Sequence, residues 1–383
     1  MGKKLMMIPG PTPVDQSILD ALGKETVSHL DPQLVETLQE TLKDLKTIVM
    51  TEKGQPFTIP GTGTLAMETA LVNSLKSGDR LLVISHGFFG DRFAEIAQNY
   101  GFEVEVLASE WGKVVEVERI AQKLKEKRFS AITLTHVDTS TGVCAPVKEV
   151  SEVVKKFPET LFIVDGVCAT GGIEERMDDW GIDILFAGNQ KAIGVPPGLA
   201  NLLFSEKALE RRNDLGKISA YYMDINRWLP IMREPGSGYF ATHAVNMVNA
   251  LHQGLKIILN EGLEERFRRH KRFALAFQTG LEELGFNILP SKEHRANTVS
   301  TVVYPSGIED VSFRERLFQN GVLVSAGKGE LAGKIFRLGH MGNITENEVV
   351  ATLSIIERTL SEFNYNFKLG SGIGAAEEIL FKK

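Results

Sequence analysis

Cysteine is scarce in this chain, with Cys144 and Cys168 as the two thiols in 383 residues. Two isolated thiols make neither a disulfide framework nor a metal-ligand spacing, so no metal is expected and a reduced, intracellular setting is the default. Long apolar runs are missing as well. No stretch is suited to span a bilayer, and the apolar run in the opening MGKKLMMIPGPTP is too short for a secretory signal. Gly2 lacks the nearby hydroxyl residue that N-myristoylation requires. The expectation is a soluble, cytoplasmic protein with no membrane partner. A basic excess is also lacking. The net charge of −6 argues against nucleic acid as a partner, because a polyanion binder needs a clustered basic face. One phosphate pocket stays open, since local donors hold small anions. There is no GxGxxG fingerprint or P-loop spacing, and no internal repeat.

What is there reads as an α/β chain. With 43% hydrophobic and 24% charged residues, the composition is that of an ordinary globular protein, and the length calls for one large and one smaller domain. Pro9, Pro11 and Pro13 hold the N-terminal residues extended. Leucines at helical spacing mark a helical stretch from Ser17 to about Met50. Strands and helices then alternate through RLLVIS, EVEVLAS, SAITLTH, LFIVDG and DILFAG, the pattern of a mainly parallel sheet with helices on both faces. A long helix from about Thr242 leads to a boundary near Asn260 to Glu264. The division expected is an arm over 1–16, a large domain over 17–260 and a smaller α+β domain over 261–383. The Gly-rich tail KLGSGIGAAEEILFKK is expected to be loosely held.

The stretch Asp183 to Gly198, DILFAGNQKAIGVPPG, is a buried strand that ends in a tight loop presenting a single amine, Lys191. A lysine fixed by rigid backbone suits imine chemistry, because enclosure favours the neutral, nucleophilic form; the plain alternative is an exposed loop lysine. Ligands of parallel sheets gather at the carboxyl ends of strands, and other polar signals fall there. Gly61-Thr62-Gly63-Thr64 precedes a helix, where it either caps the helix or binds a phosphate. Phe88-Phe89 follows RLLVIS and either stacks on a flat ring or belongs to the core. Thr139 and Ser140 bond a ligand or merely shape a turn. Asp165 follows four apolar strand residues, so it pairs with a cation or caps a helix. Arg337, inside an apolar strand, binds a carboxylate in bidentate fashion or makes a structural salt bridge.

Taken together, PGTGT, HGFFGDR, HVDTSTG, VDGVCATGG and GNQKAIGVPPG resemble a fold-type I, pyridoxal 5'-phosphate (PLP) dependent aminotransferase of class V. The likeness is to the alanine–glyoxylate and serine–pyruvate aminotransferases, and it extends over nearly the whole chain. The resemblance implies that Lys191 carries the cofactor and that Asp165 pairs with the pyridine nitrogen, keeping the ring an electron sink. Phe89 stacks on the ring where relatives often have Trp, Val167 packs beneath it, and Thr139 bonds the ring-hydroxyl side. Thr62, Gly63, Thr64 and Gln190 surround the phosphate. Arg337 takes the substrate carboxylate, and the PGPTP arm with Gly10 lines the cleft. YFATHA resembles an element that reaches into a partner subunit, which places Tyr239 and Thr242 on the neighbour's phosphate and implies a homodimer with shared sites. Thr62, Thr64, Phe89 and Asn189 depart from the residues usual in the family.

These residues imply a ping-pong transamination between alanine or serine and glyoxylate or pyruvate, with Lys191 as general base. A cysteine desulfurase is excluded because no cysteine follows Cys168. An aminotransferase for an anionic substrate such as aspartate, phosphoserine or aminoethylphosphonate stays open, as does a non-catalytic subunit on the same fold. A cleft for small substrates has no use for a second cationic clamp, and the only candidates are Lys328 and Arg233, if a loop carries them to the site.

Overall fold

The structure, a computed structural model, describes residues 4–381. The first three residues of the expected arm, Gly2 among them, and the last two of the tail lie outside the described residues. Seven strands form the large sheet: β1 (Gln55–Gly61), β2 (Arg80–Ser85), β3 (Glu103–Ala108), β4 (Ala131–Thr135), β5 (Leu161–Asp165), β6 (Ile184–Gly188) and β7 (Gly198–Phe204), in the order β1-β7-β6-β5-β4-β2-β3. The run from β6 through β3 is parallel, and β4, β5 and β6 are buried along their whole length. This is why they read as unbroken apolar runs. β7 is antiparallel to both β6 and β1. Those two reversals bring the carboxyl end of β1 back to the edge where β5 and β6 end. β1 carries Pro56 and Pro60 and lies at the sheet margin, where a missing N–H is tolerated.

A second sheet of four antiparallel strands, β8 (Asn287–Ile288), β9 (Val299–Val303), β10 (Ser325–Ala326) and β11 (Ile335–Gly339), runs in the order β8-β9-β11-β10. One apolar core surrounds the large sheet, and a second gathers Phe273, Phe277, Phe313, Phe336 and Leu353 with Met7 of the arm. Between them lies a small cluster that includes Val137, Cys168, Ala192, Val299 and Met341. The arm is stitched in by backbone. Leu5–Met6 pairs in parallel with Val322–Leu323, Met7 accepts the Gly339 N–H at 2.9 Å, and Thr12 N–H donates to the Gln190 carbonyl.

Two local expectations, on the Ser17 to Met50 stretch and on the tail, are corrected. The helical stretch from Ser17 to Met50 is two helices, Gln16–Leu22 and Pro32–Ile48. Gly23 ends the first, and Asp31 caps the second at Pro32 by accepting from the Gln33 and Leu34 amides. The helix after Gly61 stops at Val72, where the buried Asn73 side chain donates to the Thr69 and Met223 carbonyls. The tail is not loose: Ser371–Phe381 is a helix packed on the helices Leu263–Glu283 and Glu346–Glu362. Its glycines allow that approach, since a Cβ on Gly372 would meet the Gly280 carbonyl oxygen at 2.8 Å. Buried Glu357 fixes its start by accepting from the amides of Gly370, Gly372 and Ile373.

Candidate active site

Lys191 lies three residues past the end of β6, and Asp165 is the last residue of the neighbouring β5. The loop between them and the helix Gly63–Val72 walls a cavity of about 180 Å³, lined by Thr62, Gly63, Thr64, Phe89, Arg92, Thr139, Asp165, Val167, Gln190 and Lys191. Nine of the residues proposed from the sequence thus meet in one cleft at the carboxyl edge of the sheet.

Each wall has a physical reason. Lys191 keeps part of its surface open to the cleft, yet it sits deep enough that burial lowers its amine from the ordinary lysine range. Arg337 and Lys328 nearby push the same way. Its Nζ donates to the Pro9 carbonyl of the arm. The exposed-loop reading fails. Gly10 presses against this amine at φ +123°, where a Cβ would stand 2.9 Å from Nζ and 2.9 Å from the Gln190 carbonyl oxygen. Only glycine combines that conformation with that proximity.

Asp165 is buried and has no cationic partner within ion-pair reach among the described residues. Burial, helped by Asp138 and Glu175, pushes its carboxyl up to about 7, although the Val167 N–H bonds Oδ1 at 2.9 Å. A protonated pyridine nitrogen would supply the missing cation. At the other end, Thr62 stands at the N-cap of the helix Gly63–Val72 but makes no side-chain cap, so its hydroxyl and the free helix amides are available to a phosphate. Gln190 Oε1 is a buried acceptor without a partner among the described residues. A Cβ on Gly63 would strike Val167 at 2.8 Å, so glycine is what lets the helix close over that side chain. The donor set fits PLP: a lysine amine, a buried lone carboxylate and an anion cradle in one cavity.

Phe89 is half-buried on the first turn of the helix Phe88–Asn99, edge-on to Phe88 at 5.4 Å, and faces the cleft rather than the core. Thr139 is buried beside it. Ser140, by contrast, is structural: its Oγ accepts from the Phe88 amide and donates to Asp138. Thr64 accepts from Arg92 Nη1 at 3.2 Å. Arg337, on β11 and 8% exposed, donates to the carbonyls of Ala326 at 2.9 Å and Thr139 at 3.2 Å. It contacts no carboxylate among the described residues, so the structural salt bridge is ruled out. Tyr239 and Thr242 do not reach this chain's cavity. They are exposed and bonded to each other at 3.2 Å. Arg233 is also elsewhere, bonded to Gln55 at the far end of β1, whereas Lys328 does approach the site.

Sequence reasoning missed Asp138 and Arg92. Asp138 is fully buried and accepts from the amides of Phe89, Gly90 and Ser140 and from the Ser140 hydroxyl, tying the turn after β4 to the helix that presents Phe89. The apolar residue before it and the Ser/Thr residues after it were the available signal, since a carboxylate there caps amides. Arg92, in the middle of an amphipathic helix, gave no signal.

A half-buried lysine at the carboxyl edge of such a sheet, beside a second, antiparallel sheet, has the architecture of a fold-type I PLP-dependent transferase. The chain belongs to the aminotransferase class-V family, whose profile matches residues 9–341, and it is a PLP-dependent aminotransferase. It is 40% identical to an uncharacterized aminotransferase of Methanocaldococcus jannaschii over 100% of this chain and 98% of that one. It is 32% identical to a soluble hydrogenase 42 kDa subunit of Anabaena cylindrica, with 98% of each chain covered. Among solved structures, the ureidoglycine–glyoxylate aminotransferase of Bacillus subtilis superposes with a TM-score of 0.94 at 30% identity, covering 99% of this chain and 98% of that one. No helix among the described residues is long and apolar enough to cross a membrane.

Proposed function

We propose that the chain moves an amino group from an L-amino acid to a small 2-oxo acid, glyoxylate or pyruvate, by a ping-pong reaction, with alanine and serine as the smallest donors. The observation that carries this reading is Arg337, a buried guanidinium whose bonds go to two main-chain carbonyls and to no carboxylate. It stands close enough to Lys191 to depress the amine. A planar cation held by carbonyls at such a point is preorganised for a substrate carboxylate. The glyoxylate in the name of the Bacillus subtilis protein supports the acceptor.

PLP, when bound, supplies the electron sink that makes the substrate's Cα–H acidic. The chain does the rest. Thr62, Gly63, Thr64 and Gln190 would hold the phosphate; Asp165, as a carboxylate, would keep the pyridine nitrogen protonated; Phe89 and Val167 would pack on the ring; and Thr139 would bond its hydroxyl side. Arg337 orients the substrate through its carboxylate. Lys191 Nζ, whose hold on a proton burial weakens, takes the Cα proton and returns it. Gly10 and Pro9 close the cleft over that amine and exclude water.

Tyr239 and Thr242, exposed and mutually bonded, support a homodimer in which this pair reaches the neighbour's phosphate site. The division into an arm over 1–16, a large domain over 17–260 and a small domain over 261–383, and a cytoplasmic location, belong to the same reading. The soluble hydrogenase subunit favours a non-catalytic role on this fold; retention of Lys191, Asp165 and Arg337 together supports the enzyme.

The test is an absorbance spectrum of the PLP-loaded protein, with L-amino acid added and then glyoxylate. A visible band that shifts with the donor and returns with glyoxylate is expected. In Lys191→Ala, turnover falls by at least ~10²–10⁴-fold while PLP still binds. A protein that takes up no PLP refutes the reading.

A further inference from the structure

We infer that Lys328 is a specificity residue for the side-chain end of the amino donor, and that the preferred donor carries a second carboxylate, as L-aspartate does. This rests on the transaminase reading above and narrows its substrate class.

Lys328 follows β10 after a single residue, Gly327. Two residues before it, the Ala326 carbonyl accepts the Arg337 Nε–H, so the backbone that orients the substrate-carboxylate arginine also places this lysine. The turn is not free to drift. The Leu331 amide donates to the Lys328 carbonyl at 3.0 Å, and Gly329 lies so close to Trp111 that a Cβ there would meet the indole at 2.6 Å. Lys328 Nζ stands 5.0 Å from the centre of the Phe88 ring, on the residue next to Phe89. Arg337 and Arg92 both act on its charge, and together with burial they lower its amine from the ordinary range.

The cations here outnumber the anions. Arg92 lies over the rings of Phe88 and Phe89 and Lys328 over that of Phe88, Arg337 stands one turn of backbone away on the Ala326 carbonyl, and none of the three forms an ion pair with a carboxylate among the described residues. Asp138, whose charge acts on Arg337, is already occupied by four donors. Bound ligands neutralise most of this set. Asp165 answers the pyridine nitrogen, the helix end at Thr62 together with Arg92 on Thr64 faces the phosphate, and Arg337 takes the substrate's first carboxylate. Lys328, on the Arg337 side of the cleft, is left without an anion. Holding like charges together without a counter-ion is unfavourable, and a distal carboxylate relieves it. Alanine and serine offer none.

The experiment measures kcat/KM for L-aspartate and L-alanine against glyoxylate, using PLP-loaded wild type, Lys328→Met and Lys328→Arg. The wild type should favour aspartate. Lys328→Met should lower the aspartate-to-alanine ratio by roughly 10- to 100-fold, mainly through the KM for aspartate, and Lys328→Arg should largely restore it. An unchanged ratio in Lys328→Met, or a wild type that uses alanine and ignores aspartate, overturns the inference and leaves the transaminase standing. A cofactor band that responds to neither donor overturns both.

Discussion

Replacing Asp165 with asparagine separates what this carboxylate does for chemistry from what it costs the fold. Its carboxyl titrates at about 7 in the folded chain against an ordinary 3.8, chiefly through burial. An acid whose folded pKa is raised holds its proton longer when folded than when unfolded. The cofactor-free protein therefore loses stability as pH rises from about 4 to 7, and the penalty is complete above that. A shift of about three units at ~1.36 kcal/mol each makes the full penalty roughly 4 kcal/mol. Asparagine carries no charge and retains an oxygen for the Val167 N–H, but it buries an amide without a partner, which costs about 1–3 kcal/mol. The variant without cofactor should thus be more stable than the wild type at pH 8 by about 1–3 kcal/mol. With an unfolding entropy of ~2.1 cal/mol/K per residue over the 383 residues, that is a Tm gain on the order of 1–4 °C. Below pH 4 the gain should vanish or reverse, because the wild-type carboxyl is then neutral in both states. PLP should invert the order, raising the Tm of the wild type more than that of the variant, and turnover should fall by orders of magnitude. Scanning calorimetry of both proteins, stripped and loaded, between pH 4 and pH 8 measures each of these quantities. A Tm difference independent of pH, or equal stabilisation by PLP, would refute the account of Asp165 as a carboxylate awaiting a cation.

Gly10→Ala places a methyl group 2.8 to 2.9 Å from Lys191 and the Gln190 carbonyl at φ +123°, so it should lower kcat far more than Tm, and steady-state kinetics beside a melting curve will separate the two. Glu357→Ala strips three amides of their acceptor at the start of the last helix; it should destabilise by about 2–4 kcal/mol, and hydrogen exchange over residues 370–381 should rise while exchange around Lys191 does not.

The strands that carry the site were legible because both faces of a parallel sheet are covered, which writes each strand as a short apolar run with its polar residue at the end: Ile184 to Gly188 before Lys191, and Leu161 to Val164 before Asp165. What decided the sheet's margin was not legible. The run Gly198–Phe204 after the Pro-Pro-Gly turn reverses direction, and nothing in its apolar pattern distinguishes an antiparallel strand from a parallel one. The last helix was misread because its glycines signal looseness in isolation, yet here they serve contact: Gly372 and Gly280 face each other across two helices, a fact held in the pairing and not in either segment. Lys328 and Arg233 had equal standing as loop cations. Only the three-dimensional course of the turn after β10 brought one to the cleft and left the other at the far end of β1.

The course of the arm bears on the order in which the protein becomes complete. Residues 5 to 12 precede every strand of the large sheet, but their partners are Val322, Leu323 and Gly339, far downstream of it, and the Gln190–Lys191 loop between. During synthesis the large sheet can assemble as soon as β7 has emerged, with Lys191 in its loop but the Pro9 carbonyl and Gly10 not yet set against it. The arm has no strand to join until residue 322 leaves the ribosome, and Gly339 fastens it only later. The nascent chain therefore carries its reactive amine uncovered until Val322 and Gly339 have followed it. Closure over that amine thus waits on residues 322 to 339, far downstream of the loop that carries it.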